Sequence, residues 1–408
     1  MHVVLLNQPF YPDVAATAQM AKDLADHLVA KGWKVTAVCS RSIYGQQGAT
    51  LPKRETIDGI EIRRVGSNVF GKKGIAARLA DFGLFYLLAT WTVLTLRKPT
   101  VVVGFTTPPF IAFVGVLARW LRGAKAVYWV MDVYPDVPVA CAVMKPNGLI
   151  TKFCAWFNRF LLRRSDADVV LGRCMRDLVI DRGAPADKVE LIPVWADHAD
   201  ITPIEPSQSV YREKWSLQDK FVVMYSGNLG LAHDADTMLD AIERLKDDDR
   251  IRFVFVGGGK LKGKVVDAIE SKQLTNAEWH GYVPREDLGQ SLTAADVHLI
   301  SVKNGLEGTI VPSKLFGVLA AGRPSIYIGR PTSEIARVLD ETGAGLLVEE
   351  GDGEGLAEAI RTLAADPERV RTMGAKGRAA LEGQYDADTL CAQWAEVLER
   401  VAGPKAPR

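Results

Sequence analysis

Lys314 is the residue from which chemistry is first legible. It lies in Val311-Pro312-Ser313-Lys314-Leu315-Phe316-Gly317-Val318-Leu319-Ala320-Ala321-Gly322-Arg323-Pro324, a run with its own helix start and stop signals. Proline suits the first helical position, glycine the position past the end, and a further proline forbids continuation. The first turn of such a helix leaves N–H groups unpaired at the positive end of the dipole, and Lys314 adds a full charge. The pattern predicts a seat for a phosphate or diphosphate on Ser313 and Lys314. Upstream, Ser226-Gly227-Asn228-Leu229-Gly230 follows a strand-like run and precedes a helical one. Gly227, Asn228 and Gly230 there let backbone approach an anion, although a plain strand-to-helix turn has the same composition. His233 follows, either a donor to a phosphate oxygen or a surface histidine. Gly257-Gly258-Gly259-Lys260 is a second glycine loop after a strand. Asp132-Val133-Tyr134-Pro135-Asp136 sets two carboxylates four residues apart. Their plain reading is loop capping or an ion pair.

The elements that must hold these residues alternate short apolar runs with amphipathic segments, the pattern of parallel βαβ units. Strands are expected at Val3–Leu6, Val35–Cys39, Ile60–Val65, Val101–Phe105, Ala126–Val130, Val169–Leu171 and Val189–Ile192. A second series is expected at Phe221–Ser226, Ile251–Val256, Ala277–His280, Val297–Ile300, Ser325–Tyr327 and Gly345–Val348. Helices fall between, including Thr17–Lys31, Asp236–Leu245 and Leu356–Ala365. The chain therefore reads as an α/β protein of two Rossmann-like, doubly wound domains, 1–196 and 207–384, joined by a linker at 197–206. A last helix over 385–402 crosses back to the first domain, and the Gly403–Arg408 tail reads as disordered. Doubly wound sheets bind ligands outside the carboxyl ends of their strands.

The chain has 408 residues, 48% hydrophobic and 24% charged, which excludes a disordered or fibrous protein. Five scattered cysteines without C-x-x-C spacing argue for a reducing compartment and against structural zinc. The apolar start runs straight into Asn7-Gln8-Pro9, unlike a signal peptide, so a cytoplasmic location is expected. A net charge of +1 conceals an asymmetry. Residues 1–200 carry 25 Lys/Arg against 17 Asp/Glu, residues 201–408 carry 25 against 32, and 41–125 carry 13 against 4. The basic part is a solvated face, or it meets anionic lipid head groups or a diphosphate-bearing substrate. No nucleic-acid-binding motif accompanies it. Phe82–Leu96 is uncharged but too short to span a bilayer. It is a buried helix, or an interfacial one with Phe82, Phe85, Tyr86 and Trp91 between basic flanks that include Lys72, Lys73 and Arg78. Pro99–Ala118 is broken by Gly104 and Pro108-Pro109 and reads as strand, loop and helix.

The order of these segments resembles the retaining GT-B glycosyltransferases of family four, most closely the bacterial branch that builds exopolysaccharide, O-antigen and colanic-acid chains. Pro9-Phe10-Tyr11-Pro12 with Ala15-Ala16-Thr17, then Asp132–Asp136, Ser226–Gly230 and Val311–Pro324 carry the resemblance over nearly the whole chain, and Ile192-Pro193-Val194-Trp195-Ala196-Asp197 also matches. It implies a GT-B fold whose two domains face a cleft. Gly227, Asn228, Gly230, His233, Gly257, Gly258, Val283, Glu307, Ser313 and Lys314 would bind the donor. Gly281-Tyr282-Val283-Pro284 would sit beside its base. Ala15, Ala16, Thr17 and Asp136 would lie on the acceptor side, and Asp132 and Lys314 would be catalytic. Departures are visible. Ala15-Ala16 replaces a glycine pair, and Met131 replaces a histidine. Of two glutamates expected in the donor site, the second position holds Gly317 and the first Thr309, with Glu307 two residues away.

What the resemblance implies is transfer of a hexosyl or N-acetylhexosaminyl group, with retention, from a nucleoside-diphosphate donor (UDP-sugar favoured) to a lipid-diphosphate-linked saccharide. The work would be done at the inner membrane face by a peripheral protein, without metal or other cofactor. Two alternatives share the fold: a nucleotide-sugar 2-epimerase, and a nucleotide-sugar-binding protein that has lost catalysis.

Overall fold

Why two sheets form follows from where the apolar runs fall, and the computed structural model gives their order. The structure describes residues 1–13, 15–43, 50–66 and 75–403, with 75–79 as backbone alone. Lys72, Lys73, the Arg78 side chain and the tail beyond residue 403 lie outside the described residues. The chain divides into two units. One comprises Met1–Val139, Met144–Pro193 and the chain from Asp388 onward; the other comprises Ala140–Val143 and Val194–Ala387. The helix Ala387–Ala402 buries Trp394 against Trp129 of the first unit, ring centroids 4.2 Å apart.

In the first unit β1 (His2–Leu6), β2 (Lys34–Ser40), β3 (Arg54–Ile57), β4 (Ile60–Val65), β5 (Val101–Gly104), β6 (Lys125–Val130), β7 (Ala167–Val170) and β8 (Val189–Leu191) form one sheet. Their order is β3-β4-β2-β1-β5-β6-β7-β8. Strands β1, β5 and β7 are buried along their whole length, as continuous valine-rich runs in a sheet covered on both faces should be. Every neighbouring pair is parallel except β3–β4. The sequence predicts no strand at Arg54–Ile57. It is a short, charged edge strand without an apolar signal, but Asp58-Gly59, both at positive φ, is the turn that folds it back onto β4.

In the second unit β9 (Phe221–Asn228), β10 (Ile251–Gly258), β11 (Ala277–His280), β12 (Val297–Ser301), β13 (Ser325–Ile328) and β14 (Gly345–Val348) are all parallel, in the order β11-β10-β9-β12-β13-β14. The direction of winding reverses between β9 and β12, and between β1 and β5 in the first unit. At these switch points the crossovers leave in opposite directions and open a crevice at the carboxyl ends of the strands. Both glycine loops and Asp132 stand at carboxyl ends.

Two expectations change. The helix of the Lys314 segment runs only from Lys314 to Ala320, with Ser313 as its N-cap and no side-chain capping bond. Pro312 therefore stands outside it, because residues 306–310 are held in turns by the Thr309 N–H to Leu306 bond and a Glu307–Ile310 bridge. Gly322 past its end is left-handed, as a helix-ending glycine should be. The helix Ile75–Thr95 buries one side of its apolar run and exposes the other. Phe85, Ala89 and Val93 pack in the core with Val114 and Ala118, whereas Leu87 and Trp91 are exposed. Phe85 is thus a core residue and not an interfacial one, and the Tyr86 hydroxyl donates to the Pro109 carbonyl.

Candidate functional site

In the second unit, the side chain of Lys314 turns inward from the helix start. Its Nζ lies 3.9 Å from the centroid of the Tyr225 ring and donates to the Tyr225 hydroxyl, which in turn donates to the Asn228 carbonyl at 3.2 Å. Tyr225 is on β9 just before the glycine loop, and its phenol is held neutral by burial. Among the described residues no carboxylate pairs with Lys314. A cation over an aromatic ring gains on the order of 0.5–2 kcal/mol, less than the several kcal/mol that stripping a charge of water costs. Desolvation therefore wins and lowers the Lys314 ammonium to about 7.

His233 stands beside it. Its ring faces that of Tyr225 edge-on at 5.9 Å, and its Nδ1 lies 2.5 Å from the Ser301 carbonyl at the end of β12. Burial, then the charges of Lys314 and Lys303, push its pKa down to about 3. The imidazole is thus neutral. With Nδ1–H donating to Ser301, Nε2 carries a lone pair and not a proton. His233 is buried and is therefore not a surface histidine; in the free protein its Nδ1–H is engaged by the Ser301 carbonyl and Nε2 is unprotonated.

The glycines divide by purpose. Gly227 has φ +125°, and a Cβ there would meet only the Lys314 Cε, at 3.7 Å. Gly230 has only the Asn228 amide nearby, at 3.5 Å. These two positions are open, as an approach for an anion requires. Gly257 is different. It has φ +124°, and a Cβ would lie 2.3 Å from the Gly227 carbonyl oxygen, because Gly257 and Gly227 are register partners of β10 and β9. Its lack of a side chain serves the packing of one glycine loop on the other. Tyr282, exposed, lies with its ring edge against the Cβ positions of Gly257 and Gly258, at 3.2 and 3.1 Å. Val283 is turned instead into the apolar cluster of Leu217, Met224 and Val256. Of the Gly281–Pro284 segment, Tyr282 is the side chain that covers the glycine loop.

Glu307 binds within its own loop. Its Oε2 accepts from the Gly305 N–H at 2.8 Å and its Oε1 lies 3.4 Å from Arg330. Thr309 is buried with its hydroxyl on the Leu306 carbonyl. Gly317 has space for a Cβ, 3.5 Å from Leu292 and 3.9 Å from Ile201. Ser313 ends beside Lys314 without a capping bond.

In the first unit Asp132 follows β6 and makes no hydrogen bond or ion pair among the described residues. Desolvation raises its carboxyl to about 6. Asp136 opens the short helix Asp136–Ala140, and its Oδ1 accepts from Arg182 at 2.5 and 3.0 Å. Asp136 is thus in an ion pair through Oδ1, while its buried Oδ2 has no hydrogen-bond partner among the described residues. Ala15 caps the helix Ala16–Ala30 at the switch point with no side-chain bond, its own N–H held by Asp13 at 3.0 Å. The N–H groups of Ala16 and Thr17 consequently open that helix. Sequence reasoning did not find Tyr225, Lys303 or Arg182. Tyr225 is hidden in an apolar strand, and the other two are ordinary surface cations until the fold places them.

Among the described residues Asp197, His198 and Asp386 bring ligand atoms within 4.8 Å of one another. His198 Nδ1 lies 2.5 Å from Asp386, which raises the His198 pKa, and Arg378 donates to the His198 carbonyl at 3.0 Å. Within the group His198 and Asp386 form an ion pair. No described helix is long and apolar enough to cross a membrane, and none of the five cysteines is in a disulfide.

Residues 16–195 match the glycosyl transferase 4-like domain and residues 207–380 match the glycosyl transferases group 1 domain. The probable glycosyltransferase WbjE of Pseudomonas aeruginosa is 27% identical over 289 residues, 71% of this chain and 72% of that protein. The putative colanic acid biosynthesis glycosyl transferase WcaI of Escherichia coli K12 is 24% identical over 374 residues, 88% of this chain and 91% of that protein. The fold is similar to that of sucrose-phosphate synthase from Thermosynechococcus elongatus (TM-score 0.80, 16% identity, 98% of this chain and 99% of that one). It is also similar to Anabaena HepE, solved in complex with UDP and glucose (TM-score 0.72, 16% identity, 98% and 99%). At such identities the structural likeness establishes the two-domain GT-B architecture. The chain belongs to the glycosyltransferases built from a glycosyl transferase 4-like domain followed by a glycosyl transferases group 1 domain.

Proposed function

We propose that this glycosyltransferase moves a hexosyl or N-acetylhexosaminyl group from a nucleoside-diphosphate sugar, with UDP favoured, to a lipid-diphosphate-linked saccharide, with retention, in the assembly of a cell-surface polysaccharide. The observation that carries the reading is the buried Lys314 ammonium with no carboxylate partner at the carboxyl end of β9. The colanic acid biosynthesis named for WcaI and the UDP bound to HepE support the class of product chain and of donor.

In this reaction the bond from the anomeric carbon to the β-phosphate oxygen breaks, and a bond from that carbon to the acceptor oxygen forms on the same face. The acceptor proton passes to the departing diphosphate. Charge therefore grows on the β-phosphate in the transition state, and a preorganised cation is worth most there. At about 4 Å and an effective dielectric near 20, one pair of unit charges gains on the order of 4 kcal/mol. That is enough to keep Lys314 protonated through neutral pH once the diphosphate is bound. Asp132 orients the acceptor hydroxyl as a carboxylate, since its raised pKa of about 6 still leaves it ionised at pH 7. No metal is assigned a role.

The test is a thermal-shift screen of nucleotide sugars, since a ligand bound only by the folded protein raises its melting temperature, followed by turnover with lipid-linked acceptors. Stabilisation by uridine but not guanosine diphosphates is the expected result. Epimer formed from donor alone would replace the transfer reading with the epimerase one. Donor binding without transfer or hydrolysis across acceptors would leave a binding protein.

A further inference from the structure

The helix Lys314–Ala320 is only seven residues long, about 10 Å, so whatever holds its last turn also sets where Lys314 stands. Its amino end has no side-chain cap, since Pro312 lacks an N–H and Ser313 makes no capping bond. Leu315, Phe316, Val318 and Leu319 are buried, but apolar packing is non-directional. It presses the helix onto its neighbours without fixing how far the helix slides or turns. Direction comes from the last turn, whose carbonyls have no partner within the helix. Those of Gly317, Val318 and Leu319 accept from the N–H groups of Ala321, Arg323 and Gly322, which follow in the chain. The Ala320 carbonyl accepts from a side chain fifty-eight residues away, that of Arg378.

Arg378, on the helix Pro367–Ala380, engages all of its guanidinium nitrogens at this junction. Nη1 donates to the Ala320 and Ile201 carbonyls, both at 2.7 Å, Nη2 to the His198 carbonyl at 3.0 Å, and Nε to Glu382 at 2.6 Å. One nitrogen thus ties the helix end to the linker. Arg323, just past the helix, makes a second tie: its Nη2 donates to the Ile204 carbonyl and, at 3.0 Å, to the Thr293 carbonyl. Between the two ties Pro203 packs on Gly322, 3.2 Å from where a Cβ would stand. Linker residues 198–204 therefore lie along the last turn of the Lys314 helix, and all of them belong to the second unit. A guanidinium suits this place better than an ammonium, because its planar fork holds several acceptors in fixed directions.

We infer that Arg378 is a positioning residue: by joining the Ala320 carbonyl to the linker carbonyls of His198 and Ile201, it fixes the slide and turn of the helix and so holds Lys314 over the Tyr225 ring. The consequence for turnover rests on the donor role proposed for Lys314; the placement itself does not. A misplacement of about 1 Å in a group that acts on the transition state can lower a rate on the order of 10². The competing view is that Arg378 only caps a helix and stabilises the fold, which leaves Lys314 where it is when Arg378 is removed.

The full chain and the variants Arg378→Ala, Arg378→Lys and Glu382→Gln are labelled with trace acetic anhydride across a range of pH, and acetylation of Lys314 is read by peptide mass spectrometry. The amine reacts when unprotonated, so the midpoint of the profile reports its ionisation. In the native protein it should lie near 7, lowered by desolvation, and at least about one unit higher in Arg378→Ala, where the ammonium regains water. Arg378→Lys keeps the charge but cannot bridge linker and helix in the same way, so it should move the midpoint in the same direction, and it carries the test if the alanine variant does not fold. Glu382→Gln leaves the carbonyl bonds in place and should keep the native midpoint. Turnover should fall at least about tenfold in Arg378→Ala, and adding that change to Lys314→Met should lower turnover little further, since both act through one charge. A native midpoint in both Arg378 variants would overturn the proposal. So would full additivity of the two losses where Lys314→Met itself lowers turnover. A raised midpoint in Arg378→Ala together with native turnover in Lys314→Met would remove the donor role and leave the placement of Lys314 by Arg378 standing.

Discussion

The two sheets end their central strands in opposite electrical conditions. At the carboxyl end of β9 a half-buried cation, Lys314, has an aromatic ring and a hydroxyl for company and no carboxylate among the described residues. After β6 a carboxylate, Asp132, is desolvated with no cation, while its neighbour Asp136 is neutralised by Arg182. Burying a charge costs several kcal/mol, so folding alone does not favour leaving it unpaired. An unpaired charge at the carboxyl end of a strand is where a ligand can supply the missing partner. By that criterion the proposed function rests on Lys314 and Asp132, while Asp136 has a partner in Arg182.

This contrast can be broken at several points. The largest effect is expected for Lys314→Ala, which should lower turnover on the order of 10²–10³, about 2–4 kcal/mol of transition-state stabilisation; near-native rates would remove the central role of this residue. Asp132→Asn should lower kcat on the order of 10² with donor affinity unchanged. The native enzyme should also lose activity as pH falls below about 6, where the raised carboxyl takes a proton, and the Asn variant should lack that limb. An unchanged acid limb would place the titrating group elsewhere. Gly257→Ala should destabilise the second unit by about 1–3 kcal/mol, from a forced close contact with the Gly227 carbonyl and a left-handed backbone. Gly230→Ala should leave the urea midpoint within experimental error and weaken donor binding. Equal midpoints for the two would contradict the division of the glycines. The smallest effect is expected for Arg182→Ala: on the order of 0.2–1 kcal/mol of stability for a half-exposed ion pair, with rates changed only a few-fold. A large fall in rate there would return Asp136 to the acceptor site.

Much of the fold was legible because parallel strands are written as continuous apolar runs. Ile60–Val65, Ala277–His280 and Gly345–Val348 occupy the predicted residues, and other strands differ by one or two at their ends. Strand β3 was missed because a charged edge strand carries no such run. In the site, residue types showed that Lys314 and the glycine loops stand at strand ends, but not why each glycine is there. Gly257 answers to the Gly227 carbonyl, thirty residues away in sequence, across the β9–β10 register. The neutral state of His233 also depends on tertiary neighbours, the Ser301 carbonyl and the Lys314 charge. The same holds for the exposed Trp91, whose helical spacing does not tell which stripe faces the sheet.

Calorimetric titration of uridine and guanosine diphosphates into the native protein and Lys314→Met, in buffers of different ionisation enthalpy, tests the central claim most directly. In the free protein burial lowers Lys314 to about 7, and a bound diphosphate raises it again. Binding should therefore take up a proton at pH 7.5–8.5, flagged by a buffer-dependent heat, and affinity should fall as pH rises above about 7. Lys314→Met should bind at least about tenfold more weakly, with neither the proton uptake nor that pH dependence. Equal affinities and equal buffer dependence in the two proteins would contradict the account.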